Sequence, residues 1–494
     1  MSKNLFSTCF EKRALEKILD DVLEKKLGEV DVNNVFDKTL IHPKITGIAG
    51  DVIEQSVIGY EANSIQEPDL IVDDKSVELK TTGIRKSKKE GVNYEAKEPM
   101  TITAVSPEKI IFQNFEESSF WHKLKNILLV YYLYDSESTV KASEYSRFPI
   151  KGYQFHDFTN EEKEMLRNDW TIIKDFIHKL HVEHEIPEVE YSRISSELRS
   201  KLMLIDTSPK WPNRPRFRLK RATVSTIVQK HFGKKLEQLP KRYTSFFEID
   251  NQLKEIANKY RGKSIEELIS PQMFNIFVKL NKKDDVSKSV AEQIVTHMFG
   301  ANAKKLGKIE LFSKLGIIPK TITQTINGKR TEDMKFFSVN FDEWLLKNQV
   351  FEESTLYSDF SSNQFLFIIF EEPSANAKLL DNKFLGFKRF IFDEKFIEED
   401  VKKCWEEVRE KVFSDTLEER NEYKKNGELI INKKGTVSTS INFPKSKTHN
   451  VFLRGSGNDS RDKNLVLNDI SMYRQNVWIK GSSIITMLKS VDYI

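Results

Sequence analysis

Cysteine is nearly absent from this chain of 494 residues: Cys9 and Cys404 are the two it has, too few for a disulfide framework or a zinc cluster and suited to a reducing cytosol. Glycine (19) and proline (14) are sparse, which excludes collagen-like and flexible-linker compositions. Long apolar runs are also missing. The longest, Ile127–Tyr134 and Phe365–Phe370, fall far short of the roughly 20 residues a membrane span needs. The opening MSKNLFSTCFEKR lacks the apolar stretch of a secretion signal. A cytoplasmic protein with no membrane partner is expected. Net charge is low too, +4 from 78 Lys+Arg and 74 Asp+Glu, so the total alone calls for no polyanionic partner. What remains is 39% hydrophobic and 31% charged, a globular composition, at a length that suggests two large or three ordinary domains.

Periodicity supplies the first elements. Leu15, Ile18, Leu19, Val22 and Leu27 recur at helical spacing and predict an amphipathic helix from Phe10 to Lys26. GIAGDVIEQSVIGY, Gly47 to Tyr60, predicts a second helix. The period then changes to two: Asp69–Val72 and Val77–Lys80 read as strands joined through Asp73-Asp74-Lys75-Ser76. Met100–Val105 and Ile127–Tyr134 are further strands, the second apolar on both faces like a central strand. Thr159-Asn160-Glu161-Glu162 is a capping box opening a helix through Trp170 and Ile177.

Charge is unevenly spread. From Arg193 to Arg242 there are fourteen Lys/Arg against three acidic residues, a local net of +11 that leaves the rest of the chain at −7. Lys433 to Lys480 carries nine against three. The two stretches suggest a repeat. Phe217-Arg218-Leu219-Lys220 with Thr223 and Thr226 lines up with Val477-Trp478-Ile479-Lys480 with Ser483 and Thr486. The segment from Ser118 pairs with that from Ser361, and the Trp170 helix pairs with one bearing Trp405. Two related α/β domains are expected, residues 1–240 and 286–494, with a helical linker region at 241–285.

The chemistry concentrates at Glu54, Asp69, Glu78 and Lys80. Side chains alternate along a strand, so Glu78 and Lys80 share a face, and the hairpin brings Asp69 beside Glu78. Two carboxylates beside a lysine make an oxygen site for Mg²⁺, suited to phosphodiester hydrolysis. The competing reading is a solvated strand face. Arg214, Arg216, Arg218 and Lys220 surround Trp211 and Phe217, and basic residues interleaved with aromatics suit a nucleic-acid groove, although a plain solvated surface has the same composition.

These residues also carry a resemblance. Gly50-Asp51-Val52-Ile53-Glu54, Pro68-Asp69-Leu70 and Val77-Glu78-Leu79-Lys80-Thr81 are similar to the active-site motifs of the MutH family of mismatch-repair endonucleases. The likeness continues through SFWHKLKNILLV (Ser119–Val130), NEEKEMLRNDW (Asn160–Trp170) and PRFRLKRATVSTIVQKHF (Pro215–Phe232). The double length resembles the restriction-endonuclease branch of that family, whose best-known member cuts at GATC. The resemblance implies two restriction-endonuclease-like domains, each a mixed sheet flanked by helices. It makes Asp69 and Glu78 ligands of Mg²⁺, Lys80 the catalytic lysine, Glu54 a further acid and Lys123 an assisting group near the phosphate. Arg218 and Lys220 sit where the family places DNA contacts, beside Arg214 and Arg216 of the same basic segment; in the C-terminal half Lys480 lines up with Lys220, and the Arg454–Asp459 run, with Asn458, looks like a recognition loop. It implies a type II enzyme acting on double-stranded DNA, GATC first, with a second copy of the site bound by the C-terminal domain as effector and a cognate DNA methyltransferase in the same system. A nicking repair nuclease and a non-catalytic DNA-binding regulator are the alternatives. One departure bears on the site sequence: the Lys-Ala-Ala-Asn type run of GATC-reading members is absent from Glu188–Leu202. In the C-terminal half, Ile318 stands where Glu78 would, Lys320 matches Lys80, and Glu310 is the nearest acid to replace Asp69.

Overall fold

In the computed structural model, Asp73 and Asp74 both adopt left-handed backbone conformations, φ 45° and 62°. That is the geometry of a two-residue hairpin turn matched to strand twist, and Asp tolerates it better than most residues. It joins β2 (Leu70–Val72) to β3 (Lys75–Lys86) with Leu70 opposite Val77 and Val72 opposite Lys75. The structure describes residues 8–60, 68–87, 93–136, 139–209, 211–282, 284–329, 332–374, 377–424, 426–432, 435–457 and 462–494.

Two compact units emerge: residues 1–252 with 295–317, and 253–294 with 318–494. The sequence places the join at 241–285, but the observed units interleave. The helix Phe246–Tyr260 leads from the first into the second, and the helix Val290–Met298 leads back.

In the first unit β1 (Cys9–Phe10) pairs parallel with β2, and β3 pairs parallel with β6 (Ile127–Leu133), which pairs antiparallel with β7 (Ile150–His156). The order is β1-β2-β3-β6-β7, with β4 (Tyr94–Ala96) on the far half of β3. Strand β6 is buried on both faces, as its composition predicts. A second sheet, β5-β9-β8, combines β5 (Met100–Ala104), β8 (Ile205–Ser208) and β9 (Arg216–Leu219). The first helix is shorter than predicted, Lys12–Asp20, because the chain turns from Asp21 onward. Its Leu15 and Leu19 join Val52, Leu70, Leu79, Leu128 and Val130 in one core. Each such fully buried leucine contributes about 1.5–3 kcal/mol of transfer free energy. The helix Asn160–Glu183 opens as predicted: Thr159 caps the Glu162 N–H at 3.2 Å and Glu162 returns to the Thr159 N–H at 2.8 Å. The HKL segment is helical (Ser119–Leu124), and the strand begins three residues later at Ile127.

The second unit contains β10 (Ile317–Thr325), β12 (Gln364–Glu372) and β13 (Lys383–Phe390) in one sheet, and β11 (Met334–Ser338), β19 (Arg474–Ile479) and β16 (Val451–Ser456) in another. Two small hairpins, β14/β15 (Glu419–Asn421, Thr439–Ile441) and β17/β18 (Leu465–Leu467, Ile470–Met472), complete it. Registers repeat between the units. Tyr131 faces Gly152 and Ile369 faces Gly386, each followed by a bulge. Met100 faces Leu219 and Met334 faces Ile479, again with a bulge near each pair.

The local repeat is clearest at Ser118 and Ser354. Each follows a Phe-Glu-Glu turn, caps a helix through a 3.1 Å bond and donates its hydroxyl at 2.6 Å to the preceding Phe carbonyl. The sequence alignment of Ser118 with Ser361 is therefore displaced. The second helix runs Thr355–Ser362, two residues longer than its counterpart, which leaves Ser361 in the last turn. Trp170 packs on Phe115 and Trp405 on Phe351 in the same way.

Candidate active site

The site forms at the mouth of the β2–β3 hairpin. Continuing the register beyond Leu70–Val77 sets Asp69 against Glu78, and the Asp69 carboxylate accepts the Leu79 N–H at 3.0 Å. Leu79 itself points into the core at 3% exposure, so Glu78 and Lys80 share the opposite face. A one-residue slip would exchange the two faces, and the tight turn prevents it.

Glu78 is 1% exposed and is held by two lysines. Lys80 Nζ lies 2.5 Å from one oxygen, and Lys123 Nζ lies 3.0 and 3.1 Å from both. Lys123 reaches it from the helix that Ser118 caps, a long-range contact that orients a buried carboxylate with charge-assisted bonds. Glu54 arrives from the other side. The helix Ile48–Val52 widens into a π-turn, Ile53–Ile58, which ends at Gly59 with φ 88°. Wide turns of this kind occur frequently at functional sites. Gly50 permits the approach, since a Cβ there would stand 3.3 Å from the Thr81 hydroxyl.

The electrostatics report how close these groups are. Burial, then the Asp69 charge, push the Glu54 carboxyl up to about 7. Burial and Glu78 raise Asp69 above its usual range, while Lys80 and the Leu79 N–H oppose the shift. With every group ionised, three carboxylates face two ammonium groups, an excess of one negative charge in a poorly solvated pocket. One proton held by Glu54 removes it.

Tyr60 belongs to the same cluster and has no signal in the sequence. It is 3% exposed, its hydroxyl has no hydrogen-bond partner among the described residues, and burial together with Glu54, Asp69 and Glu78 raises its phenol well beyond the normal range.

The donor set is all oxygen, which fits a hard divalent cation and disfavours a thiolate or imidazole metal. Among the described residues no three His, Cys, Asp or Glu side chains stand together as a preformed metal cage. Asp69 and Glu78 are the two neighbouring carboxylates that could hold such a cation, with water completing its shell.

The basic segment divides. Arg216 is exposed on β9. Arg214 is exposed and paired with Glu108. Arg218 is clamped across the strands by Asp206 at 2.7 and 3.1 Å. Lys220 departs from expectation. It is 6% exposed, its ammonium bonds the Leu202 carbonyl, and it acts on buried Asp169, whose carboxylate accepts the Met203, Leu204 and Ile205 N–H groups at 2.7–3.1 Å. Lys220 is therefore a core cation, not a surface contact for DNA. Phe217 is likewise core, 3% exposed and 4.8 Å from Phe120, and Trp211 packs edge-on against Tyr191. The Phe217 ring is therefore no stacking platform, while Trp211 stays half-buried.

In the second unit Arg454 pairs with Asp333 at 2.6 Å and lies over the Trp478 ring. Lys480 precedes the helix Gly481–Lys489, as Lys220 precedes Arg221–His231. Asn458 lies outside the described residues. Glu310 does not replace Asp69: it belongs to the first unit, where it meets Lys230 at 2.8 Å and Lys314 at 3.1 Å, and Lys314 also neutralises Glu162. Along β10, Ile318 and Pro319 precede Lys320, and no strand of the described residues flanks β10 as β2 flanks β3.

Residues 58–169, which include Asp69, Glu78, Lys80 and Lys123, match the family model of the DNA mismatch repair enzyme MutH. The type II restriction enzyme Sau3AI of Staphylococcus aureus is 25% identical over 430 residues, covering 83% of this chain and 81% of that enzyme. The chain thus carries a MutH-family domain and is a homologue of a type II restriction enzyme.

Proposed function

We propose that this MutH-family chain is a Mg²⁺-dependent type II restriction endonuclease that hydrolyses double-stranded DNA at a short specific site. The first unit does the chemistry, and the second binds a further copy of the site as effector. The observation that carries the reading is the buried Glu78 carboxylate held between Lys80 and Lys123 with Asp69 and Glu54 beside it.

Asp69 and Glu78 would hold the cation. When bound, it supplies positive charge at the scissile phosphate and a more acidic bound water. The chain's own groups do the rest. Lys80, which lies against Glu78, would place its ammonium beside the phosphate and offset developing charge. Lys123 keeps Glu78 oriented. Glu54, poised near neutrality by burial, accepts or returns a proton at its carboxylate. Tyr60, buried beside the three carboxylates, excludes water from the inner side. Arg216 meets the DNA backbone, where each neutralised phosphate adds affinity and salt dependence.

The effector role of the second unit is supported by the repeated registers together with the loss of carboxylates: Ile318 cannot ligate a metal, and Pro319 removes a ladder donor. A site that binds DNA without cutting can favour an active state only by binding the two states differently. GATC is the first candidate sequence. An enzyme cutting so short a site also needs a methyltransferase to protect the host's own DNA. Incubating supercoiled plasmid with and without Mg²⁺ tests the reading. Linear product that requires the ion and maps to one short sequence supports it; nicked circles alone point to a repair nickase; intact plasmid at all ion concentrations overturns it.

A further inference from the structure

A cavity of about 370 Å³ is lined wholly by second-unit residues, a size typical of small-molecule sites. Its charges do not balance. Lys288 is paired with Glu332 at 2.6 Å, and Asp333 is occupied by Arg454 at 2.6 Å and by the Gly481 N–H at 3.2 Å. Lys320 and Lys335 form no ion pair among the described residues. The Lys320 ammonium donates to the Lys335 carbonyl at 2.8 Å, and burial plus the neighbouring Lys335 charge lower it to about 8. Two cations thus stand on one wall, and although the Glu292 charge partly offsets the shift at Lys320, desolvation and the repulsion between the two lysines outweigh it in the empty protein.

The opposite need is also visible. Asn382, 2% exposed, lines the same cavity with its Oδ1 lacking any hydrogen-bond donor, and the Trp478 indole N–H is buried there without an acceptor. Buried polar atoms are nearly always satisfied, so two orphans on one cavity mark the place of a missing partner. Phe370 and the Trp478 ring add apolar surface beside them.

We propose that this cavity binds a nucleotide phosphate, its oxygens on Lys320 and Lys335 and its attached base or sugar against Trp478, with Asn382 Oδ1 accepting an N–H. The phosphate comes either from a DNA strand or from a free mononucleotide. The strand supports the assignment: β10 keeps a lysine where β3 has Lys80 but carries Ile318 in place of Glu78, which leaves phosphate binding without the means to hydrolyse.

Calorimetric titration of the full-length protein, without divalent ions, decides the matter. The probes are inorganic phosphate, a 5′-deoxymononucleotide, the matching nucleoside and a short duplex. The mononucleotide should bind saturably and the nucleoside should not. Lys320→Gln should weaken binding by about tenfold or more, the effect of losing one charge-assisted contact. Lys335→Gln should act in the same direction, with both proteins melting at or above the wild-type temperature because the repulsion between the two lysines is relieved. Asn382→Leu should weaken the mononucleotide but not inorganic phosphate. A duplex that displaces the mononucleotide identifies the strand as the source, and simultaneous binding identifies the free nucleotide. No saturable binding of phosphate or mononucleotide, or unchanged affinity in both lysine variants, overturns the proposal. Cleavage by the first unit, measured separately on plasmid, stands or falls independently.

Discussion

Replacing Glu54 by glutamine should make the metal-free protein more stable and less active, and the gain should depend on pH. A carboxyl held at about 7 in the folded state, against 4.5 when unfolded, binds its proton more tightly after folding. Below pH 4.5 both states are protonated and the site costs nothing. As pH rises through the interval the folded state loses stability, and above about 7 the full cost is present. At about 1.4 kcal/mol per tenfold change in proton affinity, the ceiling is about 3.5 kcal/mol. Glu54 is only partly buried and glutamine still pays to desolvate its amide, so about 1–2 kcal/mol is the working figure. For a unit of this size that is a midpoint rise of about 2–8 °C at pH 8, shrinking sharply by pH 5. Thermal melts of Glu54→Gln and wild type across that range, with metal chelated, measure it. Added Mg²⁺ should narrow the gap by stabilising the wild type selectively. A gain that is the same at pH 5 and pH 8, or a loss at pH 8, would refute the picture of Glu54 as stored repulsion.

Other outcomes follow from the same geometry. Asp69→Asn and Glu78→Gln should each reduce plasmid cleavage by about 10³-fold or more while a gel-shift assay shows duplex binding largely retained; near-normal turnover in either would remove it from the metal site. Arg216→Ala should lower the salt slope of DNA binding by about one, whereas Lys220→Met should leave the slope alone and destabilise the fold by about 1–3 kcal/mol, because Asp169, already held at about 6 by burial, loses the cation that lowers it and takes up a proton in its place. A plasmid with two recognition sites should be cut faster than one with a single site, and a short uncleavable duplex should rescue the slower substrate; equal rates at all enzyme concentrations would leave the second unit without an effector role.

The hairpin was legible because a period of two leaves no ambiguity about faces, and the turn residues Asp73 and Asp74 suit the required conformation. The Thr159 cap was legible because both of its partners lie within four residues. Lys220 was misread for the converse reason. What decides its role is Asp169, fifty-one residues upstream and brought beside it only by the tertiary fold. Tyr60 carries no pattern at all; only the convergence of three carboxylates around it gives it meaning. The displaced match at Ser361 had a visible remedy, since Phe-Glu-Glu-Ser occurs at both Phe115 and Phe351. The limits of the two units were not readable, because the helices from Phe246 to Met298 share one amphipathic character whichever core receives them.

The chain passes between the units three times, after residues 252, 294 and 317. This has a genetic consequence. A single crossover between two related genes transfers one contiguous block, so a breakpoint anywhere from 253 to 317 would combine one parent's core with part of another's. Among the mismatched pieces would be the helix whose Lys314 neutralises Glu162. A hybrid whose second parent carries no cation at 314 would inherit the buried Glu162 charge without its counterion and lose stability. The two units of this protein are therefore expected to share one ancestry, and genealogies drawn separately from each unit should have the same branching order.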